Sequence, residues 1–100
     1  MNDRVKRITE RTTTVRNSAE SLIRTIQDQR VREFFLTPIF NALSDIESVL
    51  LPYAEKAANA DAASGWYSAA EMMASIAEKQ LKAAQDTVAK YGVNLRLVGG

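Results

Sequence analysis

Three observations predict that this 100-residue chain is an all-α protein, a three-helix bundle or hairpin with a short extended C-terminal tail. Alanine is abundant, whereas glycine occurs only four times and proline twice, and this balance favours helix over a turn-rich β fold. Apolar residues recur at helical spacing along most of the chain. A single domain is expected, because 100 residues supply one modest core.

The first predicted helix covers residues 3–36. Its apolar positions recur at alternating spacings of three and four, which is typical of a heptad seam: Val5, Ile8, Thr12, Val15, Ala19, Leu22 and Ile26. A helix of this length would be about 50 Å long, more than a small chain is expected to cover. We therefore expect the exposed seam to bind another subunit as a coiled coil through Val5, Ile8, Val15 and Leu22. An ordinary amphipathic helix packed on its own chain is the alternative.

The second predicted helix covers residues 38–63, with Thr37 as its N-cap and Pro38 at its first position. Pro52 lies inside the apolar pattern and removes one backbone hydrogen bond, so a kink or a break is expected near Leu50-Leu51. The Ser64-Gly65 pair is expected to interrupt the helix. One broad apolar face is predicted: Ile39, Phe40, Leu43, Ile46, Val49, Leu50, Tyr53, Ala54 and Ala57.

The third predicted helix covers residues 66–91 and has two candidate starts. Ser68 to Glu71 match a capping box, and Asp61 is an earlier candidate. Trp66 lies at the predicted turn, where we expect it to anchor a protein interface, because large aromatic side chains concentrate binding energy. The Met72-Met73 pair is interpreted as core filler.

The predicted tail, residues 93–100, has the alternation of a strand. Val93, Leu95 and Leu97 are separated by Asn94 and Arg96, and this period of two is typical of an extended segment. Such a segment could add a strand to a partner's sheet or pack into a groove. We therefore include Val93, Leu95 and Leu97 among the predicted interface residues.

Composition argues against an enzyme. The chain has no cysteine and no histidine, which removes thiolate nucleophiles, sulfur-based zinc sites and an imidazole base. Asp45 and Glu47 are two residues apart and point to different sides of a helix, while Glu71 and Glu78 lie two turns apart. We expect no catalytic residues, cofactor, metal or small-molecule substrate.

Basic residues concentrate in the N-terminal third. Residues 1–36 contain eight lysines and arginines against five acidic residues. Arg4, Arg7 and Arg11 follow helical spacing and could contact a phosphate backbone. The alternative is a solvated flank whose arginines pair with acidic residues. Nucleic-acid binding is therefore a secondary hypothesis.

The leading expectation is a non-enzymatic structural or assembly subunit that self-associates or docks into a larger complex, such as a phage virion or another bacterial assembly. A small protein that binds and inhibits or regulates one partner is the alternative. The sequence shows neither a signal peptide nor an uninterrupted apolar run of ~20 residues. A cytoplasmic or virion location, without membrane contact, is therefore expected.

Overall fold

A computed structural model describes residues 2–91, and these confirm the predicted all-α three-helix bundle. Its elements are α1 (Asp3–Thr25), α2 (Gln29–Asp45), a π-helical segment (Ile46–Leu50), α3 (Leu51–Glu55) and α4 (Ala60–Tyr91). The middle three are continuous and form one rod, which runs antiparallel to α1 and α4. The bundle measures 51 × 22 × 16 Å.

The predicted first helix, residues 3–36, is wrong at its C-terminal end, because α1 ends at Thr25. Asp28 caps α2, and its carboxylate accepts a hydrogen bond from the backbone N–H of Arg30 at 2.9 Å. The Arg32 guanidinium closes the turn by donating to the carbonyl oxygen of Ile26 at 3.0 Å. The apolar spacing of three and four stops at Ile26, and the next apolar residue is Val31, so the sequence prediction carried the helix through a polar gap that is the turn.

The predicted helix start at Pro38 is also wrong, because this proline lies inside α2. A proline inside a helix deprives the carbonyl four residues earlier, here that of Phe34, of its partner. Pro38 and the Phe34 side chain are both exposed, so this carbonyl faces the side where water can replace the lost bond. The helix therefore passes through Pro38.

The rod does not break near Pro52, where a π-helical segment precedes the proline. The backbone N–H of Leu51 bonds to the carbonyl oxygen of Ile46, five residues back instead of four. The backbone hydrogen-bond pattern thus takes in one extra residue just before Pro52, whose nitrogen has no hydrogen to donate. This wider turn leaves Val49 on the surface, 40% exposed, although the sequence pattern placed it on the core face.

The third helix starts earlier than residue 66. Asn59 caps α4 by accepting a hydrogen bond from the backbone N–H of Ala62 at 2.9 Å, close to the alternative start at Asp61. Gly65 lies inside α4, exposed, with nothing within 4 Å of a Cβ placed there. The expected interruption at Ser64-Gly65 is therefore wrong, as is the capping box at Ser68. The predicted tail, residues 93–100, lies outside the described residues.

The heptad seam of α1 is buried inside the protein's own bundle. Ile8, Val15 and Leu22 are 1%, 2% and 8% exposed, and Val5 is half-buried. Fully buried small residues of α4 let that helix approach α1 and the middle rod closely: Ala70, Ala74, Ala77 and Ala84. The expectation that the seam binds another subunit is therefore wrong, and the alternative of an amphipathic helix packed on its own chain is the observed arrangement.

The middle rod is unusually apolar. Over Gln29–Glu55 an 18-residue window reaches a mean hydropathy of 1.3, and 28% of that window is buried. By length and composition alone, this helix could cross a membrane, a property that counting uninterrupted apolar runs missed. Core helices of soluble proteins and signal sequences near the N-terminus share it, and this helix supplies Ile39, Leu43 and Ile46 to the core.

Candidate functional site

Two arginines of α1 bind side chains of α4. The Arg4 guanidinium donates to both carboxylate oxygens of Glu71, at 2.7 and 3.4 Å, and to the hydroxyl of Ser68 at 3.2 Å. The same guanidinium lies over the Tyr67 ring, 5.4 Å from its centroid, a distance at which a cation is attracted to the ring face. Arg4 therefore joins the start of α1 to α4 through charge, hydrogen bonds and ring contact.

The arrangement repeats seven residues later. Arg11 donates to both carboxylate oxygens of Glu78, at 2.7 and 3.0 Å, and to the hydroxyl of Ser75 at 2.9 Å. We call each set an arginine clamp: Arg4 with Ser68 and Glu71, and Arg11 with Ser75 and Glu78. In both clamps the serine lies 64 residues and the glutamate 67 residues after the arginine. Because these separations are equal, α1 and α4 run parallel. The sequence contains a signal for this pairing. Arginine recurs after seven residues in α1, and the pattern Ser-x-x-Glu recurs after seven residues in α4.

The clamps keep their carboxylates ionised. The hydrogen bond from Arg4 lowers the pKa of Glu71, and the bond from Arg11 lowers the pKa of Glu78. The same bonds raise the pKa of each arginine. A general acid at neutral pH needs a raised carboxyl pKa, so these shifts run in the direction expected for structural ion pairs.

The clamps also contradict the proposed phosphate contacts of Arg4 and Arg11, because both guanidiniums are bound to carboxylates of the same chain. Arg7 is exposed, and it lines a shallow groove together with Glu10, Arg11, Thr14 and Glu78. Two carboxylates balance two guanidiniums in that groove. Of the three basic residues aligned in the sequence, only Arg7 is left for an anion.

Among the carboxylates outside the clamps, some are paired and Asp45, in the described part of the chain, is not. Glu47 bonds to Arg16, and Asp86 lies 3.5 Å from the Lys82 ammonium. Asp45 makes no ion pair within residues 2–91. Over the same range no group of three potential metal-ligating side chains lies together.

A different surface is apolar. Side chains of the π-helical segment, α3 and α4 form what we call the apolar strip: Val49, Tyr53, Trp66, Met72 and Ile76, each 36–66% exposed. Tyr53 and Trp66 pack edge to face, with centroids 5.0 Å apart. Met72 and Ile76 are four residues apart and share one side of α4. The strip therefore combines two aromatic, two aliphatic and one thioether side chain on one face.

A groove follows the middle of the strip, between the π-helical segment and α4. Its volume is ≈ 430 Å³, and its lining is Asp45, Val49, Leu50, Ala69, Met72 and Met73. Ala69 leaves space between larger neighbours, and Asp45 contributes the only charge. From the exposed fractions, the strip offers on the order of 400–500 Å² of side-chain surface, and patches of ~300–600 Å² are often functional.

The strip includes one predicted interface residue, Trp66, which is 36% exposed at the end next to Tyr53. The seam residues Val5, Ile8, Val15 and Leu22 lie elsewhere, in the core or at its edge. The tail residues Val93, Leu95 and Leu97 fall outside the described residues. Sequence analysis missed Val49 because the added residue of the π turn displaces it from the helical period used to assign faces. The interpretation of Met72 as core filler is wrong, since its side chain is 66% exposed on α4.

Compared with protein-family models, curated proteins and solved structures, the chain matches none of them. The two surfaces therefore provide the basis for a functional hypothesis. The clamps are occupied within the chain, and the apolar strip holds five of the eight large hydrophobic side chains that are exposed within residues 2–91.

Proposed function

We propose that this protein is a non-enzymatic binding subunit that enters a protein assembly through its apolar strip. The observation that supports the proposal is the exposed Met72 on an open groove, with the exposed Tyr53–Trp66 pair on the same side of the bundle. Tryptophan, tyrosine and methionine are enriched at the centres of protein interfaces. Burying such a strip against a partner removes apolar surface from water, which is the main favourable term in association.

This proposal moves the contact surface away from the heptad seam, which the bundle has already used for its own core. The tail with Val93, Leu95 and Leu97 stays a prediction for a second contact. Membership of a phage particle, and the alternative of a protein that inhibits one specific partner, also stay predictions. Nucleic-acid binding has less support, because the clamps occupy Arg4 and Arg11.

The test is affinity capture with three tagged forms of the protein: wild type, Met72→Glu and Phe34→Glu. Phe34 is a matched control, since it is 65% exposed and Met72 is 66% exposed, and it lies in the first third of α2, outside the strip. We expect partners to bind the wild type and Phe34→Glu and to be lost with Met72→Glu. Partners lost equally with both variants, or with neither, would refute binding through the strip.

A further inference from the structure

We propose that the occupant of the apolar strip is a second copy of this chain, forming a two-fold dimer. The inference rests on the proposed function and specifies its partner. A two-fold interface uses the same patch on both copies, so the patch must complement itself. The strip meets this requirement, because Met72 projects beside the groove that a second Met72 can enter.

The available area is sufficient for a weak dimer. Two strips of on the order of 400–500 Å² each total about 800–1,000 Å², which is below the ~1,200 Å² of standard specific interfaces and in the range of weak, transient ones. At that size we expect a weak dimer with a micromolar dissociation constant. The protein would then be a monomer when dilute and a dimer when concentrated.

Charge selects the orientation of the two copies. With the two-fold axis parallel to the helices, the middle rod of one copy faces α4 of the other, so Val49 opposes Met72 and Tyr53 opposes Trp66. Asp45 then approaches Lys79 of the second copy. Lys79 is exposed, lies seven residues after Met72 on the same side of α4, and makes no ion pair within residues 2–91.

The other two-fold arrangement, with its axis across the helices, is less favourable. It places Asp45 opposite Tyr53 and Lys79 opposite the Trp66 end of α4. Both charges would be covered by aromatic side chains without a partner, which costs free energy. We therefore assign the axis parallel to the helices.

Light scattering or sedimentation from about 1 to 500 µM protein tests the dimer. We expect Met72→Glu to raise the dissociation constant by about 30-fold or more, as for an interface hot spot, and Phe34→Glu to leave it within about threefold. Circular dichroism checks that both variants remain helical. A wild type that stays monomeric to 500 µM, or a dimer indifferent to Met72→Glu, would overturn the inference.

The chain has no cysteine, so single cysteines can report the orientation. Val49→Cys protein, carrying a mass tag, is mixed with untagged Met72→Cys protein and oxidised. We expect the mixed disulfide to exceed the statistical half of all cross-linked product, whereas Phe34→Cys should cross-link no faster than free monomers. A predominance of 49–49 or 72–72 disulfides would reject the assigned axis.

The two proposals fail in different ways. A monomeric wild type that captures another protein through Met72 keeps the proposed function and removes the dimer. A monomeric wild type with no Met72-dependent partner removes both.

Discussion

Replacing Gly65 by alanine should stabilise this protein. Gly65 is the sixth residue of the 32-residue helix α4, is exposed, and has nothing within 4 Å of an added Cβ. Glycine in a helix interior is less favourable than alanine by about 0.5–1 kcal/mol, because more backbone freedom is lost on folding. Without a steric penalty, Gly65→Ala should recover that amount.

For a domain of this size, the gain corresponds to a rise in Tm of about 3–6 °C. Thermal unfolding followed by circular dichroism or calorimetry measures it directly. Ala83→Gly, at an exposed position farther along the same helix, is the matched control and should lower Tm by a similar amount. The two variants together separate helix propensity from any effect specific to one site.

A Tm that stays constant or falls in Gly65→Ala would refute the reasoning. It would mean that residues 60–65 are not helical in solution, and that α4 starts after Gly65, as the sequence pattern predicted. A fall caused only by weaker self-association would disappear in dilute protein, so the measurement should be made well below the expected dissociation constant.

Three further predictions concern the core, the clamps and a cap. Ile8→Ala should lower the free energy of unfolding by about 3 kcal/mol, as measured in urea, because Ile8 is buried and its removal leaves a cavity; a loss under 1 kcal/mol would show that the seam is not packed inside the bundle. Glu71 and Glu78 have pKa values below the usual 4.5, so their contribution is complete above pH 4.5 and is lost as pH falls through the lowered values. The double variant Glu71→Gln/Glu78→Gln should therefore be less stable at pH 7 and lose less stability on acidification, and an unchanged acid profile would contradict this. Asp28→Ala should cost about 1 kcal/mol through loss of the α2 cap, with Asp28→Asn as a control that keeps an acceptor; equal losses in both would point away from capping.

The sequence predicted the helical class because composition and apolar period report directly on burial along a helix. It could not place the turns. The break at Asp28 depends on one side chain accepting backbone hydrogen bonds, and an N-cap aspartate looks like any polar position. Pro38 was expected to start a helix, yet an exposed proline in a long helix is tolerated when water solvates the freed carbonyl.

The candidate site was harder to predict for a related reason. The strip depends on the π turn before Pro52, which changes the helical period over a few residues and moves Val49 outward. The clamps depend on the relative alignment of helices that are distant in sequence. Arg4 and Arg11 were grouped with Arg7 as possible phosphate contacts, and their partners Glu71 and Glu78 could be assigned only once α1 and α4 were known to be parallel.

The seven-residue repeat of the clamps also determines how α1 can be aligned along α4. If α1 slid by one heptad toward the C-terminal end of α4, Arg4 would find Ser75 and Glu78, so that pairing would survive. Arg11 would instead meet Lys82 and Gln85, losing its carboxylate and facing a like charge. Each clamp is partly exposed and contributes little to stability by itself. Together they disfavour this shifted alignment of α1 on α4.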